Sequence, residues 1–171
     1  MRRGYLIPEK LESERLLLRT FCETDWKDLH AYYSDSEATK YTFGRALSGG
    51  ETWRVVASMV GHWSLRGYGP YALEEKSTGT VIGLCGLWYP NDRPDPEIKW
   101  ALAKAYHGKG YASEAARKVK DVAQEYLPGT SLISLIHPEN KASIRLALAI
   151  GATYEKEYLF KGENWSVYRY E

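Results

Sequence analysis

The stretch EIKWALAKAYHGKGYASEAARKVKDVA, residues 97–123, changes its periodicity partway along. Glu97–Leu102 reads as a strand. If it is regular, Glu97, Lys99 and Ala101 share one face, and Ile98, Trp100 and Leu102 the other. From Tyr111 the interval becomes helical, with Ala112, Ala115, Ala116, Val119, Val122, Ala123 and Tyr126 on one stripe. The alanines let this helix lie close to a sheet, and Pro128 and Gly129 stop it. Between strand and helix stand Gly108 and Gly110. Glycines there permit backbone angles that other residues avoid, and the first turn of a helix offers free N–H groups to an anion. A glycine pair in that place also serves simply to turn the chain.

Working outward, Tyr71–Glu75 and Thr80–Tyr89 flank the turn Lys76–Gly79 and read as a hairpin. Glu14–Phe21 reads as an earlier strand, followed by a helix over Asp25–Tyr33 with Thr24 as its N-cap. A second helix is expected over about 51–65, with Val55, Met59, Val60 and Trp63 inward, after a loop over 40–50. Downstream, Ser131–Ile136 has the composition of a buried strand. Asn140–Ile150 is helical with Gly151 as its C-cap, and Thr153–Phe160 and Trp165–Tyr170 read as a final antiparallel pair. The order β-α-α-β-β-β-α-β-α-β-β predicts a mixed α/β layer structure with a largely antiparallel sheet. No repeat or long linker divides it, so one domain is expected over residues 1–171.

Composition narrows the function classes. With 44% hydrophobic and 26% charged residues the chain reads as soluble and globular, and its net charge of +1 argues against nucleic acid or an anionic membrane as partner. Arg2 and Arg3 precede no apolar run of signal-peptide length, and no stretch approaches the length of a membrane span. Two cysteines, Cys22 and Cys85, suggest neither a disulfide framework nor a metal site, which points to the cytoplasm. His30, His62 and His137 lack ligand spacing, so no metal is expected. Neither a P-loop pattern nor GxGxxG with repeated βαβ units occurs.

Residues 97–123 resemble the central acetyl-CoA-binding motif of the GNAT superfamily of N-acetyltransferases, with His107-Gly-Lys-Gly-Tyr-Ala112 filling the phosphate segment. HPENKASIRLALAIGA, residues 137–152, resembles the family's next motif. The opening ESERLLLRTF and the hairpin segment YGPYALEEKSTGTVIGLCGL resemble the Rim-type branch, the N-terminal acetyltransferases of ribosomal proteins. The resemblance covers nearly the whole chain, with its motifs in order. It implies a GNAT fold: a seven-stranded, mostly antiparallel sheet that splays between its fourth and fifth strands, flanked by about four helices. Acetyl-CoA would be co-substrate, its pantetheine arm lying against the backbone of Trp100, Ala101 and Leu102 and near Asn140. Its pyrophosphate would sit on His107, Gly108, Lys109, Gly110, Tyr111 and Ala112.

The implied partner is a primary amine, either a protein N-terminus, slightly favoured by the Rim-type likeness, or a small molecule. A free α-amine has a pKa near ~8 and a lysine amine near ~10.4, so at neutral pH roughly a tenth of the first is unprotonated and far less of the second. A base therefore helps. Glu97 stands where the family often carries it, and an apolar wall such as Trp100 would raise its pKa. It could equally be a solvated strand-end glutamate or a partner of Lys99. Many relatives protonate the leaving thiolate with a Tyr, whose place falls here on Ala147. Ser143 matches a Rim-type serine and is the candidate instead, against a purely local helix-end role. His107, where Gln or Arg is usual, and Lys99, where Rim-type members often have Gly, also depart from the pattern. Glu74 and Glu75 could be strand-face residues or acceptor contacts. Cys85 reads as core. The aromatic-rich final strand pair could support a homodimer. A non-catalytic acyl-CoA sensor and an enzyme using another acyl-CoA remain alternatives.

Overall fold

A computed structural model describes residues 4–171, so Arg2 and Arg3 lie outside the described residues. Among the described residues eight strands form one sheet: β1 (Lys10–Glu12), β2 (Leu16–Arg19), β3 (Pro70–Glu75), β4 (Val81–Trp88), β5 (Glu97–Leu102), β6 (Ile133–Ile136), β7 (Ala152–Phe160) and β8 (Glu163–Tyr170). Their order across the sheet is β1-β2-β3-β4-β5-β6-β8-β7, antiparallel except for the β5–β6 pair. The helices are α1 (Asp25–Tyr33), α2 (Gly49–Arg66), α3 (Tyr111–Tyr126) and α4 (Lys141–Ala149).

Strand β1 is the eighth strand, unread in the sequence because only Leu11 of its three residues is buried; it pairs opposite Leu18. Thr24 does not cap α1 through its side chain. Asp25 anchors that start instead: buried, its carboxylate accepts from the Cys22 N–H at 2.7 Å and from Arg19 at 2.9 and 3.0 Å. Helix α2 begins earlier than expected because Ser48 and Glu51 form a reciprocal capping box. Its buried face is Thr52, Val56, Met59, His62 and Trp63, whereas Val60 is exposed.

The apolar residues divide by sheet face. Ala72, Leu84 and Ala101 pack with Leu29, Tyr32, Val56 and Met59 of α1 and α2. Leu73, Ile82, Ile98 and Leu102 pack with Ala115, Ala116 and Val119 of α3. Cys85 is fully buried in this second cluster, a core residue as expected. Tyr126, expected on the buried stripe of α3, is exposed at the helix end.

The centre of the sheet depends on glycines in β4. A Cβ on Gly83 would lie 2.1 Å from the Ala101 carbonyl oxygen, and one on Gly86 2.5 Å from that of Gly69. Gly83→Ala is therefore expected to push β5 off β4 and to cost on the order of 3 kcal/mol, the upper range for overpacking. A urea midpoint equal to that of the wild type would refute this.

Strands β5 and β6 carry the feature that matters for function. Their registered pairing is a single position, Glu97 opposite Ile133, and beyond it they diverge. Two side chains bridge the start of the gap. Ser134 Oγ donates to the Ile98 carbonyl at 2.8 Å, and a Glu97 carboxylate oxygen accepts from the Leu135 N–H at 3.3 Å. The sheet thus splays between the strands expected, which are β5 and β6 once β1 is counted.

Candidate active site

On its other edge β5 pairs with β4 from Gly83–Leu102 to Trp88–Glu97, with no shift in register. Ala103 donates its N–H to the Ile82 carbonyl at 3.0 Å. By the alternation of an antiparallel ladder, Ala101, Lys99 and Glu97 then also turn their backbone groups toward β4, while Ile98, Trp100 and Leu102 turn theirs into the gap. This corrects one expectation: Ala101 lines the groove, but its backbone polar groups belong to the β4 ladder. Trp100 presents both N–H and C=O to the opening. The Leu102 carbonyl accepts from His107 Nε2 at 2.9 Å.

A groove of about 580 Å³ runs along this gap between the start of α3 and the start of α4. Its walls include Trp100, Ala101 and Leu102, then His107, Gly108, Gly110, Tyr111, Ala112 and Ser113, and opposite them Asn140, Ser143 and Arg145. Gly108 and Gly110 have φ of 73° and 82°, the left-handed region that L side chains avoid, and Gly110 is the N-cap of α3. The loop is braced from behind. Arg15 donates to the Lys109 carbonyl at 2.9 Å and to Glu114 at 2.8 Å and stacks on the Tyr111 ring, while the Tyr111 hydroxyl donates to buried Glu75. The exposed N–H groups at the start of α3 and the two glycines fit an anion such as a pyrophosphate. Lys109 does not line the groove; it gives its carbonyl to Arg15 and lies over Tyr106. The His107 ring, facing a carbonyl, must carry its proton on Nε2, so it ties the loop to the end of β5. Glu75 is part of the brace, and Glu74 pairs with Arg19 at 2.7 Å. Both are structural.

Beyond Trp100 a second chamber of about 280 Å³ opens, sharing Tyr41, Thr42, Trp100, Asn140 and Ser143 with the groove. Asn140 caps α4, its Oδ1 accepting from the Ser143 N–H at 3.3 Å. The Ser143 hydroxyl accepts from the Trp100 indole N–H at 3.2 Å, which leaves its own hydrogen free to donate into the space where the cavities meet. Ala147 is buried in the core, so the Tyr position inferred there does not face the groove.

Glu97 lines the second chamber and is only 6% exposed. It is neither solvated nor hydrogen-bonded to Lys99: its partners are Arg93 Nε at 3.2 Å and the Leu135 N–H. Burial pushes its carboxyl above the usual carboxylate range, against the opposing pull of Arg93 and Lys99. Trp100 lines the same chamber, with its indole N–H turned to Ser143. Burial also lowers the Lys99 ammonium to about 8. The sequence reading missed the residues that close this chamber. Tyr41 stacks on His137 at 4.9 Å, and Lys161, at the β7–β8 turn, donates to the Thr42 carbonyl at 2.6 Å. These residues are far apart in sequence and share no local pattern.

Among the described residues no helix is long and apolar enough to cross a membrane, and no cluster of three His, Cys, Asp or Glu could hold a metal ion.

The pattern of the acetyltransferase (GNAT) domain matches residues 15–153. A Bacillus licheniformis protein called uncharacterized N-acetyltransferase p20 is 32% identical over 155 residues, covering 90% of this chain and 86% of that one. The crystal structure of an acetyltransferase from Agrobacterium tumefaciens superposes with a TM-score of 0.86 at 28% identity, covering 100% of this chain and 99% of that one. RimL, a ribosomal L7/L12 α-N-protein acetyltransferase solved in complex with coenzyme A, shares the fold, with a TM-score of 0.73 at 20% identity over 96% of this chain and 95% of that one.

Proposed function

The chain belongs to the GNAT acetyltransferase family, and from that premise we propose that it is an N-acetyltransferase transferring an acetyl group from acetyl-CoA to a primary amine in a ternary complex. One observation carries this reading: two cavities meet at Trp100 and Ser143, one ending on the glycine loop at the start of α3, the other holding a buried carboxylate. RimL, a likeness in fold, was solved with coenzyme A, which supports the cofactor. Two free cysteines support a reducing, cytoplasmic setting.

Bound acetyl-CoA supplies an acetyl thioester at the junction of the cavities. The N–H groups from Gly108 to Ala112 hold the pyrophosphate, and the backbone of Trp100 pairs with the pantetheine arm like an added strand. Glu97, through water, takes the proton that the amine gives up as its nitrogen bonds to the acetyl carbon. A raised pKa makes that carboxylate a better base than an ordinary glutamate. The Trp100 backbone N–H, whose carbonyl partner is the group that meets the pantetheine arm, faces the thioester carbonyl oxygen as negative charge develops there. As the C–S bond breaks, the Ser143 hydroxyl donates toward the leaving sulfur and, with water, supplies its proton.

A serine is a weak acid, so Ser143→Ala is expected to lower kcat by about tenfold, less than the hundredfold or more typical of a strong general acid. The KM for acetyl-CoA should hardly move. An unchanged kcat would leave Ser143 as no more than the partner of the Trp100 indole. The reading as a whole is tested by free-thiol release from acetyl-CoA with a panel of amines, alongside calorimetry. Release with any amine supports it. Tight acetyl-CoA binding without release points to a sensor, and absence of binding removes the central claim.

A further inference from the structure

The chamber beyond Trp100 has an unbalanced charge. Among the described residues its walls carry Arg93, Lys99 and Lys161 against a single carboxylate, Glu97. Three of these four are already engaged. Glu97 is held by Arg93 and by the Leu135 N–H, Arg93 also donates to Asp92 at 2.9 Å, and Lys161 donates to the Thr42 carbonyl. Lys99 differs: among the described residues it makes no ion pair, and its ammonium lies over the Trp88 ring at 4.4 Å. His137 is paired outward with exposed Glu163 at 3.5 Å and adds no negative charge to the chamber. A half-buried cation with no carboxylate in ion-pair contact gains from an anion brought in beside it.

The same chamber is small and only partly covered. The clasp from Lys161 to Thr42 and the stack of Tyr41 on His137 join the 41–44 loop to the far side of the gap. A volume of about 280 Å³ sits at the low end for small-molecule sites. It has room for one residue of a polypeptide, and the residues that follow would have to lie outside it. A polyamine or aminoglycoside would meet three like charges against one carboxylate.

Resting on the acetyltransferase reading above, we propose that the acceptor is a small amino carboxylate, of amino-acid size, whose carboxylate pairs with Lys99 while its amine faces Glu97. Residues two apart in a strand are separated by about 6.6 Å. A molecule with amine and carboxylate on one carbon, or a few carbons apart, spans that distance with a hydrogen bond at each end. Lys99 is then a specificity residue and Glu97 the base, side by side on β5.

The test compares matched acceptors in the thiol-release assay: amino acids, the amines left when their carboxylate is removed, spermidine, and a tetrapeptide N-terminus. The wild type is expected to prefer the carboxylate member of each pair by at least about tenfold in kcat/KM, equivalent to ~1.4 kcal/mol. In Lys99→Met that ratio should collapse through a higher KM for the carboxylate member with kcat less affected, Lys99→Arg should restore part of it, and acetyl-CoA affinity by calorimetry should be unchanged. Preference for spermidine, the peptide or the carboxylate-free amines overturns the proposal and leaves the acetyltransferase reading standing, as does a ratio that survives Lys99→Met. If no amine of the panel brings about thiol release, both readings fall.

Discussion

Gly110→Trp is expected to eliminate measurable acetyl-CoA binding while leaving a folded protein. Gly110 sits at φ 82° as the N-cap of α3 and lines the groove. An L-residue there pays about 1–2 kcal/mol for the left-handed conformation. A Cβ at this position would meet only the Arg15 guanidinium, at 3.5 Å, so the backbone itself admits a side chain. An indole then has two directions. Turned into the groove, it occupies the space expected for the pyrophosphate; turned toward Arg15, it displaces the clamp on the Lys109 carbonyl and Glu114 that fixes the loop. Either way the N–H groups at the helix start lose their anion. Affinity should fall by at least roughly a hundredfold, about 2.7 kcal/mol. Gly79→Trp is the control: Gly79 has a similar φ of 73°, open surroundings and no place in the groove. It should carry a similar conformational cost and bind normally in calorimetry. Equal binding by both variants would mean that the glycine loop only turns the chain.

That segment is also where sequence and structure agree most closely. Strand β5 and helix α3 run over the residues read for them, because both periodicities are long and glycines and a proline mark the ends. Elsewhere tertiary contacts decided against local pattern. Val60 sits beside Met59 in an apolar run, yet the helix turns it outward and buries Thr52 and His62, polar residues that find partners in His30 and in the Tyr68 carbonyl. Thr24 has the chemistry of a cap, but Asp25, one residue on, receives the Cys22 N–H and the Arg19 guanidinium, a pairing visible only once β2 and α1 meet. Strand β1 is too short for any alternation to show.

The candidate site divides in the same way. Its groove half follows from contiguous sequence, and even there the ladder register, rather than residue type, selects Trp100 over Ala101 as the backbone that faces the gap. Its chamber half is assembled from the 41–44 loop, the loop before β5, the end of β6 and the β7–β8 turn. Such a chamber leaves no periodic signal, because each segment contributes one or two side chains. The charge that distinguishes it, Lys99, was legible as a departure from the family pattern but not as an unpaired cation.

Glu97→Gln is the substitution expected to affect turnover most. The carboxylate is buried, on the strand that borders both cavities, and removing a positioned general base lowers rates by about 10² to 10⁴. The amide keeps a carbonyl oxygen for the Leu135 N–H, and Arg93 keeps Asp92, so the bridge across the start of the gap can survive. Acetyl-CoA affinity should stay nearly constant, since the groove does not include this residue. The pH dependence makes the assignment specific. Only the ionised carboxylate accepts a proton, so activity rises with pH through the pKa of Glu97 and falls away below it. Burial raises that pKa, which places the acid limb of the kcat profile above the ordinary glutamate range. Glu97→Gln should remove this limb as well as lower the plateau, whereas loss of a purely structural wedge would lower the plateau, or the melting temperature, and leave the limb in place. Full activity of Glu97→Gln across the pH range would assign the base elsewhere in the chamber, and Lys99, lowered by burial to about 8, would be the next group to replace.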